Sequence, residues 1–357
     1  MSNHFHEVKV QEVRKTTPDC AIVTLDIANG LSEAFAFKQG QYLTIKAEID
    51  GEEVQRSYSL CSCPHEGKWQ VGIKKVPGGR FSTFANDTLK PGDTLQVMEP
   101  NGRFFVEVDE SKARNYVAFA AGSGITPIYS IIKTHLESEP DSTFKLFYVN
   151  QTVGSIILRE EIEALKNRFM ERLEVFHLLT RESRNMPLLD GRLDEEKLAA
   201  IFSRITSIEE VDHVFTCGPE EMIFMVKDFL VSEGMDEDRI HFELFNTSGA
   251  KYAEKHDYSK ELAGLVSKVT ILEGGKSFKF DIEQGSNNIL DGALQAGADV
   301  PFACKGGVCC TCRAKLMEGE VDMQVNYALE ADEVEQGFIL TCQSIPKSEL
   351  VVVDFDQ

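Results

Sequence analysis

Ala303-Cys304-Lys305-Gly306-Gly307-Val308-Cys309-Cys310-Thr311-Cys312, read together with a distant Cys342, is the stretch on which this chain turns. Cys304, four residues, Cys309, two residues, Cys312 and then a long gap to Cys342 form a spacing that holds a [2Fe–2S] cluster. Four thiolates converging on two irons require a tightly wrapped loop whose backbone N–H groups point at the sulfurs. Gly306 and Gly307 permit the φ/ψ values such a loop needs, and those N–H contacts tune the potential. Zinc knuckles usually carry two close pairs, whereas here three cysteines share one loop and the fourth is remote. Cys310 falls outside the spacing, where a small residue is needed, and is expected to pack as a non-ligand. It is the one ambiguity in the ligand set.

Outward from that loop, composition bounds the rest. A chain of 357 residues fits two or three domains, and a hydrophobic fraction of 42% is that of a globular protein. No apolar run approaches the ~18–20 residues a membrane span needs, and Met1-Ser2-Asn3-His4 lacks the pattern of a secretory signal. Lys and Arg total 37 against 58 Asp and Glu, a net charge of −21. That balance repels nucleic acid and anionic membrane, so neither is expected as a partner, and it would suit a partner with a basic face; most of these charges need do no more than keep the chain soluble. Nine cysteines, four of them between Cys304 and Cys312, indicate metal binding in a reducing compartment, so a cytoplasmic location is expected.

The texture of the chain changes twice. From Phe5 to about Glu110, short β-type runs (Ala21–Ile27, Tyr42–Ile49, Arg56–Leu60, Trp69–Val76, Thr94–Met98) are separated by breaks such as Pro77-Gly78-Gly79 and Pro91-Gly92-Asp93. That spacing predicts an antiparallel barrel or sandwich. From Tyr116 onward, strand candidates Tyr116–Ala121, Phe144–Asn150, Leu173–Thr180, His213–Cys217 and Arg239–Phe245 alternate with helical stretches, notably Ile157–Phe169 and Pro219–Glu233. This is the rhythm of a parallel sheet covered by helices. A polar linker is expected over residues 247–266, which bounds four segments: a β-barrel domain 1–112, an α/β domain 113–246, the linker, and a cysteine-loop domain 267–357. In the last, a helix is expected to open near Ser286-Asn287-Asn288 and a strand at Val351-Val352-Val353.

Two elements in the barrel segment suit a flavin. In Arg56-Ser57-Tyr58-Ser59-Leu60, alternation puts Arg56 and Tyr58 on one strand face with Ser57 and Ser59 on the other, so one strand can touch both ring and phosphate. Gly78-Gly79-Arg80-Phe81-Ser82-Thr83 has the glycines and hydroxyls of an anion-binding turn that opens a helix. In the α/β segment, Ala121-Gly122-Ser123-Gly124-Ile125-Thr126-Pro127 follows a strand and lets a pyrophosphate approach the backbone, although it is not G-x-G-x-x-G. Thr216-Cys217-Gly218-Pro219 lies at another strand–helix junction. Taken singly, these are an exposed strand, a common turn, a lone G-x-G and a buried cysteine at a tight turn.

Together, and with Phe37-Lys38-Gln39-Gly40-Gln41, these motifs occur in an order that resembles the ferredoxin–NADP⁺ reductase superfamily from about Val8 to Phe245. Ser267–Gln357, with Leu340-Thr341-Cys342-Gln343, resembles plant-type ferredoxin modules and implies a β-grasp fold with its cluster near the surface. A reductase followed by a ferredoxin is the order of oxygenase reductases. Within that group, Ala303–Cys309, Asn326-Tyr327-Ala328-Leu329-Glu330 and Val351–Asp356 resemble the reductase components of bacterial phenylacetyl-CoA ring epoxidases. Cys310 and Gln151 depart from the relatives' pattern, which has a small residue and often Arg there.

The resemblance implies FAD held by Arg56, Ser57, Tyr58 and Ser59, with Ser59 nearest N5, and a phosphate turn of Gly79, Arg80, Phe81 and Ser82. It implies a nicotinamide nucleotide site of Gly122, Gly124, Thr126 and the Cys217-Gly218-Pro219 turn, with Glu243 and Phe245 beside the flavin. The cluster ligands are Cys304, Cys309, Cys312 and Cys342. Ser59, Cys217 and Glu243 are the expected catalytic set, with Cys217 positioning rather than attacking. The nicotinamide yields two electrons at once and an oxygenase takes them singly, so the flavin bridges the two regimes and the cluster enforces one-electron exit. The expected acceptor is an oxygenase or hydroxylase complex; the competing readings are a stand-alone flavin diaphorase and an electron-carrier module that has lost its flavin, against which the intact motifs argue. For the nucleotide, Asn150-Gln151-Thr152 offers no cation, but Thr180-Arg181-Glu182 looks like a pair that holds a 2′-phosphate, so NADPH is expected and NADH is the alternative.

Overall fold

The structure is a computed structural model that describes residues 4–245, 265–285 and 287–357. It divides into two compact units, one spanning Phe5–Phe245 and the other built by the C-terminal residues.

The first unit opens with six strands, β1 (Phe5–Thr17), β2 (Cys20–Asp26), β3 (Tyr42–Ile49), β4 (Glu52–Ser59), β5 (Trp69–Lys74) and β6 (Thr94–Met98). They form an antiparallel sheet in the order β4-β3-β6-β1-β2-β5. Leu60 bridges back to Val71, so the end of β4 meets β5 and the sheet curls into a barrel. Sequence reasoning named no strand over Phe5–Thr17, because charged residues fill its outer face; it nonetheless pairs with both β2 and β6. Helix α1 (Arg80–Asp87) follows Gly78-Gly79 and plugs the barrel with Phe81 and Ala85.

The same unit continues through β7 (Asn115–Ala121), α2 (Ile125–Ser138), β8 (Thr143–Asn150), α3 (Arg159–Arg168), β9 (Leu173–Leu179), α4 (Glu195–Arg204), β10 (His213–Gly218), α5 (Glu220–Ser232) and β11 (Ile240–Leu244). The strands form a wholly parallel sheet, order β11-β10-β7-β8-β9. The chain therefore turns one way from β7 to β8 and the other way to β10, and the crevice for a ligand in such sheets lies at this reversal. Eleven of the fourteen residues of α2 are buried. The reason is its position: its apolar residues share one continuous core with Cys20, Ile22, Cys61 and Phe104 of the barrel part and Tyr116, Phe144 and Phe215 of the sheet. A helix buried on more than one side reads as apolar nearly all round.

The C-terminal unit contains β12 (Val266–Glu273), β13 (Lys276–Glu283), α6 (Ile289–Gln295), β14 (Arg313–Glu318), β15 (Val321–Met323), α7 (Ala331–Glu335), β16 (Phe338–Leu340), β17 (Ser344–Pro346) and β18 (Leu350–Asp354). The main sheet runs β13-β12-β18-β14-β16, with β12 and β18 parallel and α6 lying against it, a β-grasp. Asn288 caps α6 by accepting the Asp291 N–H at 2.8 Å. Ser286 and nearly all of the expected linker lie outside the described residues; β12 begins at Val266. Among the described residues, no helix is long and apolar enough to cross a membrane.

Candidate redox sites

Strand β4 carries the first site. Alternation along it buries Ser59 while Arg56 stays exposed, with Ser57 and Tyr58 intermediate. Ser59 Oγ donates to Glu243 Oε2 at 2.9 Å, joining a barrel strand to the last strand of the parallel sheet. Burial pushes the Glu243 carboxyl up to about 8, and the Ser59 hydroxyl opposes this only in part. Cys217, opposite Glu243 in the β10–β11 register, is fully buried. Burial, then the nearby Glu243 charge, holds its thiol well above the ordinary range, so it is a neutral packing group and not a nucleophile. Phe245 is exposed just beyond β11.

The remaining flavin candidates divide into exposed and internal groups. The Tyr58 ring lies 5.5 Å from that of Phe81. Ser57 Oγ is 3.1 Å from Thr44 Oγ1. Ser82 Oγ accepts from Val76 N and donates to Gly79 O, each at 3.2 Å, so Ser82 braces the Gly78-Gly79 turn itself. Arg80 pairs with Glu52 and donates to Ile49 O at 2.6 Å. At Gly79 a Cβ would stand 2.4 Å from Val76 Cγ2, and no side chain caps the α1 N-terminus. An uncapped N-terminus behind a close glycine turn fits an anionic group such as a cofactor phosphate.

The second site lies at the β7/β10 reversal. A Cβ on Gly124 would stand 2.1 Å from Cys217 O, and one on Gly218 2.9 Å from Ala121 Cβ. Both glycines are therefore required by the approach of the two turns to each other. Thr126 is buried, donates to Ser123 O at 3.0 Å, and packs so tightly on β5 that a Cβ at Gly72 would meet its Cγ2 at 2.5 Å. Gly122, at φ +54, faces a cation: Lys74 Nζ would be 3.8 Å from a Cβ there. Pro219 is the N-cap residue of α5.

Sequence reasoning missed Lys74 and passed over Asn150 for lack of charge. Asn150 is buried at the end of β8, and its Nδ2 has no hydrogen-bond partner among the described residues, nor has the hydroxyl of Thr216, buried within β10. Unpartnered buried donors on β8 and β10, the two strands that flank β7, fit a polar ligand. A basic or amide residue closing an otherwise buried strand was the available signal. Thr180 N donates to Asn150 O at 2.9 Å and Arg181 N to Gln151 O at 2.8 Å, so the exposed Arg181 lies beside the same strand end.

In the C-terminal unit the loop brings Cys304, Cys309, Cys312 and Cys342 together, with none in a disulfide. Cys309 and Cys304 Sγ are 3.2 Å apart, and the Gly306 N–H points at Cys304 Sγ at 3.3 Å. Donation from Cys309 and Cys342 pulls the Cys304 thiol down, and donation from Cys342 does the same for Cys312. Cys309 and Cys342 are pushed up in return by the thiols beside them and by burial. That donor set fits a ferric cluster. At Gly307, φ +75, a Cβ would stand 2.8 Å from Val325 O, which is why the wrap needs glycine. Cys310 is engaged differently, with its thiol 3.4 Å from Ala328 O.

Residues 7–106 match the oxidoreductase FAD-binding domain family, residues 119–228 the oxidoreductase NAD-binding domain family, and residues 271–347 the 2Fe-2S iron-sulfur cluster binding domain family. The chain is 40% identical to a component polypeptide of the 1,2-phenylacetyl-CoA epoxidase of Escherichia coli (strain K12), over 99% of this chain and 98% of the relative. It is 32% identical to the ferredoxin reductase component of 3-ketosteroid-9-alpha-monooxygenase from Rhodococcus rhodochrous, over 97% and 95%. Among solved structures, phthalate dioxygenase reductase aligns with a TM-score of 0.61 at 23% identity, covering 98% of both chains. That last likeness speaks for the fold.

Proposed function

The chain belongs to the family of FAD- and [2Fe–2S]-containing oxygenase reductases, and from that membership we propose that its acceptor is an epoxidase acting on an aromatic acyl-CoA thioester, phenylacetyl-CoA first among them. It is an iron–sulfur flavoprotein oxidoreductase using FAD, a [2Fe–2S] cluster and a nicotinamide nucleotide. The observation that carries the choice of acceptor is the 40% identity to an epoxidase component across nearly the whole of both chains.

A flavin held here would supply the change from two-electron to one-electron chemistry, and a [2Fe–2S] cluster would supply one-electron exit. The chain's own residues supply position and electrostatics. Arg56 and Tyr58 would hold the flavin, and the uncapped N-terminus of α1, with Arg80 released from Glu52, would hold its phosphates. Ser59 and Glu243, linked at 2.9 Å, would border the flavin ring, and buried Cys217 would keep that surface apolar and dry. Gly122 admits the nucleotide's pyrophosphate to the backbone, with Lys74 as its counter-charge. Asn150 at the end of β8 and Thr216 within β10 would offer hydrogen bonds, and Arg181 would address the 2′-phosphate of NADPH.

Reconstitution tests the reading. The purified reductase should support NADPH-dependent turnover when mixed with the oxygenase components of a phenylacetyl-CoA epoxidase. It should support little with those of a ketosteroid monooxygenase. The reverse preference would reassign the acceptor, and reduction of dyes with no protein acceptor served would leave a diaphorase.

A further inference from the structure

Gln343 follows the remote ligand cysteine and is almost wholly buried. Its Nε2 lies 2.9 Å from Lys305 O and 3.7 Å from Cys342 Sγ. A carboxamide nitrogen carries two hydrogens, enough for both acceptors, and because Lys305 presents a carbonyl oxygen, the nitrogen end of the amide must face this way. The side chain has little freedom to leave. Its backbone N–H donates to Leu340 O at 2.9 Å, its carbonyl accepts from Gln324 N at 3.0 Å, and its Cγ would be 3.1 Å from a Cβ at Gly307. The residue it clamps is unusual: Lys305 is a non-glycine residue at φ +53 next to a ligand, and its ammonium is drawn off to Asp291 at 2.8 Å. One buried amide thus ties the two halves of the ligand set, the loop and the distant strand end, and aims its second N–H at a ligand sulfur.

We infer that Gln343 is a positioning residue that sets the reduction potential of the cluster, through donation to Cys342 Sγ and restraint of the Lys305 turn. This role rests on Cys342 being a ligand. A donor to a ligand sulfur stabilises the more negative, reduced cluster, so the bond raises the potential; its loss favours the oxidised form. Nothing in the cysteine spacing carries this information, since the same four ligands could be followed by a residue with no donor.

The test is redox potentiometry of the full-length protein, with the reduced cluster followed by electron paramagnetic resonance, on wild type, Gln343→Leu and Gln343→Glu. Iron and acid-labile sulfide are measured on each sample, and Cys342→Ser is prepared in parallel. Both Gln343 variants should retain the cluster and show a more negative potential. The one-electron reduction equilibrium should fall on the order of threefold to tenfold for Leu, the range of one net hydrogen bond, and further for Glu, which places a carboxylate beside the sulfur. A variant with full iron content and the wild-type potential would overturn the inference. So would loss of the cluster from both variants, which would assign Gln343 to assembly instead. A Cys342→Ser protein that keeps a native cluster would show that the ligand reading had failed, separately from the role of Gln343.

Discussion

Ser59 and Glu243 lie 184 positions apart in the chain and meet at 2.9 Å, and the meeting has a consequence for pH. Burial pushes the carboxyl of half-buried Glu243 up to about 8. Its folded-state value is therefore raised, so the folded form holds a proton that the unfolded chain gives up near 4.5. Stability from this group is full at acid pH and is lost as pH rises toward 8. Two outcomes follow. Stopped-flow reduction of the flavin by NADPH should change with an inflection near 8 in wild type and lose it in Glu243→Gln. The same variant should melt higher than wild type at about pH 9 and equally with it at about pH 4. At the nucleotide end, Arg181→Ala should cost NADPH about 1.5–3 kcal/mol in kcat/KM, the worth of a charge-assisted bond, and leave NADH nearly untouched. Equal losses for both nucleotides, or none, would remove Arg181 from the 2′-phosphate and favour NADH.

Among the elements, the cysteine loop and α2 carry the sharpest expectations. Cys304→Ser, Cys309→Ser, Cys312→Ser and Cys342→Ser should each lose the cluster, read as iron and acid-labile sulfide, while flavin reduction by the nucleotide survives in the other unit. Cys310→Ala should keep it, because that thiol is engaged at Ala328 O. At the end of α2, Glu139 is fully buried and fastens three parts of one unit. It accepts from the Asp109 N–H at 3.1 Å, from Tyr116 Oη at 3.0 Å, and from Ser142 Oγ at 2.7 Å, and lies 3.1 Å from His135 Nδ1. Burial alone would raise its carboxyl, but His135, the Asp109 N–H and Ser142 outweigh burial and hold it at about 2. A depressed carboxylate contributes stability above its unfolded value and loses it as pH falls. Arg114 pairs with Glu139 at 3.2 Å, so Glu139→Gln should cost about 3–5 kcal/mol near neutrality, as for other broken buried pairs. The gap between the two melting curves should narrow as pH falls from 4.5 toward 2.

For the molecule as a whole, the net charge of −21 bears on association with the acceptor. Between Glu318 and Gln357 the chain carries ten acids against one base, Lys347. The structure reduces the share free for docking. Glu333 is buried against Arg313 at 3.2 Å, and Asp354 is buried and accepts from the Asp356 N–H at 2.9 Å. Asp356 in turn accepts from the N–H groups of Gly274 and Gly275. Glu318, Glu320, Glu330, Asp332, Glu335 and Glu349 remain exposed. Glu330 and Asp332 adjoin the segment that bonds the cluster loop, where Tyr327 N donates to Gly307 O at 2.9 Å. Electron transfer to the oxygenase should slow steeply as salt brings the Debye length below ~10 Å. Charge reversal at Glu330 and Asp332 should flatten that dependence. A transfer rate indifferent to salt would remove the electrostatic part of docking.

Chemistry that depends on near neighbours was written plainly in the chain. The Cys304–Cys342 spacing, the glycine turns at Gly79 and Gly122, the change from period-two strands to alternating strands and helices, and the order of the motifs together specified three cofactor-binding parts. Spacing over a few residues fixes local backbone geometry, and local geometry is what a cluster or a phosphate reads. Tertiary structure alone decided the rest. Strand order placed β10 beside β7, so Gly124 had to be glycine because Cys217 O occupies the space of its side chain. The closing of the barrel and the β10–β11 pairing brought Ser59 to Glu243 and raised that carboxyl above its ordinary range. Burial separated the exposed acids from the structural ones, and the wrap of the loop set the Gln343 amide against Lys305 O. These contacts join residues tens to nearly two hundred positions apart, and no local period records which of them packing will bring together.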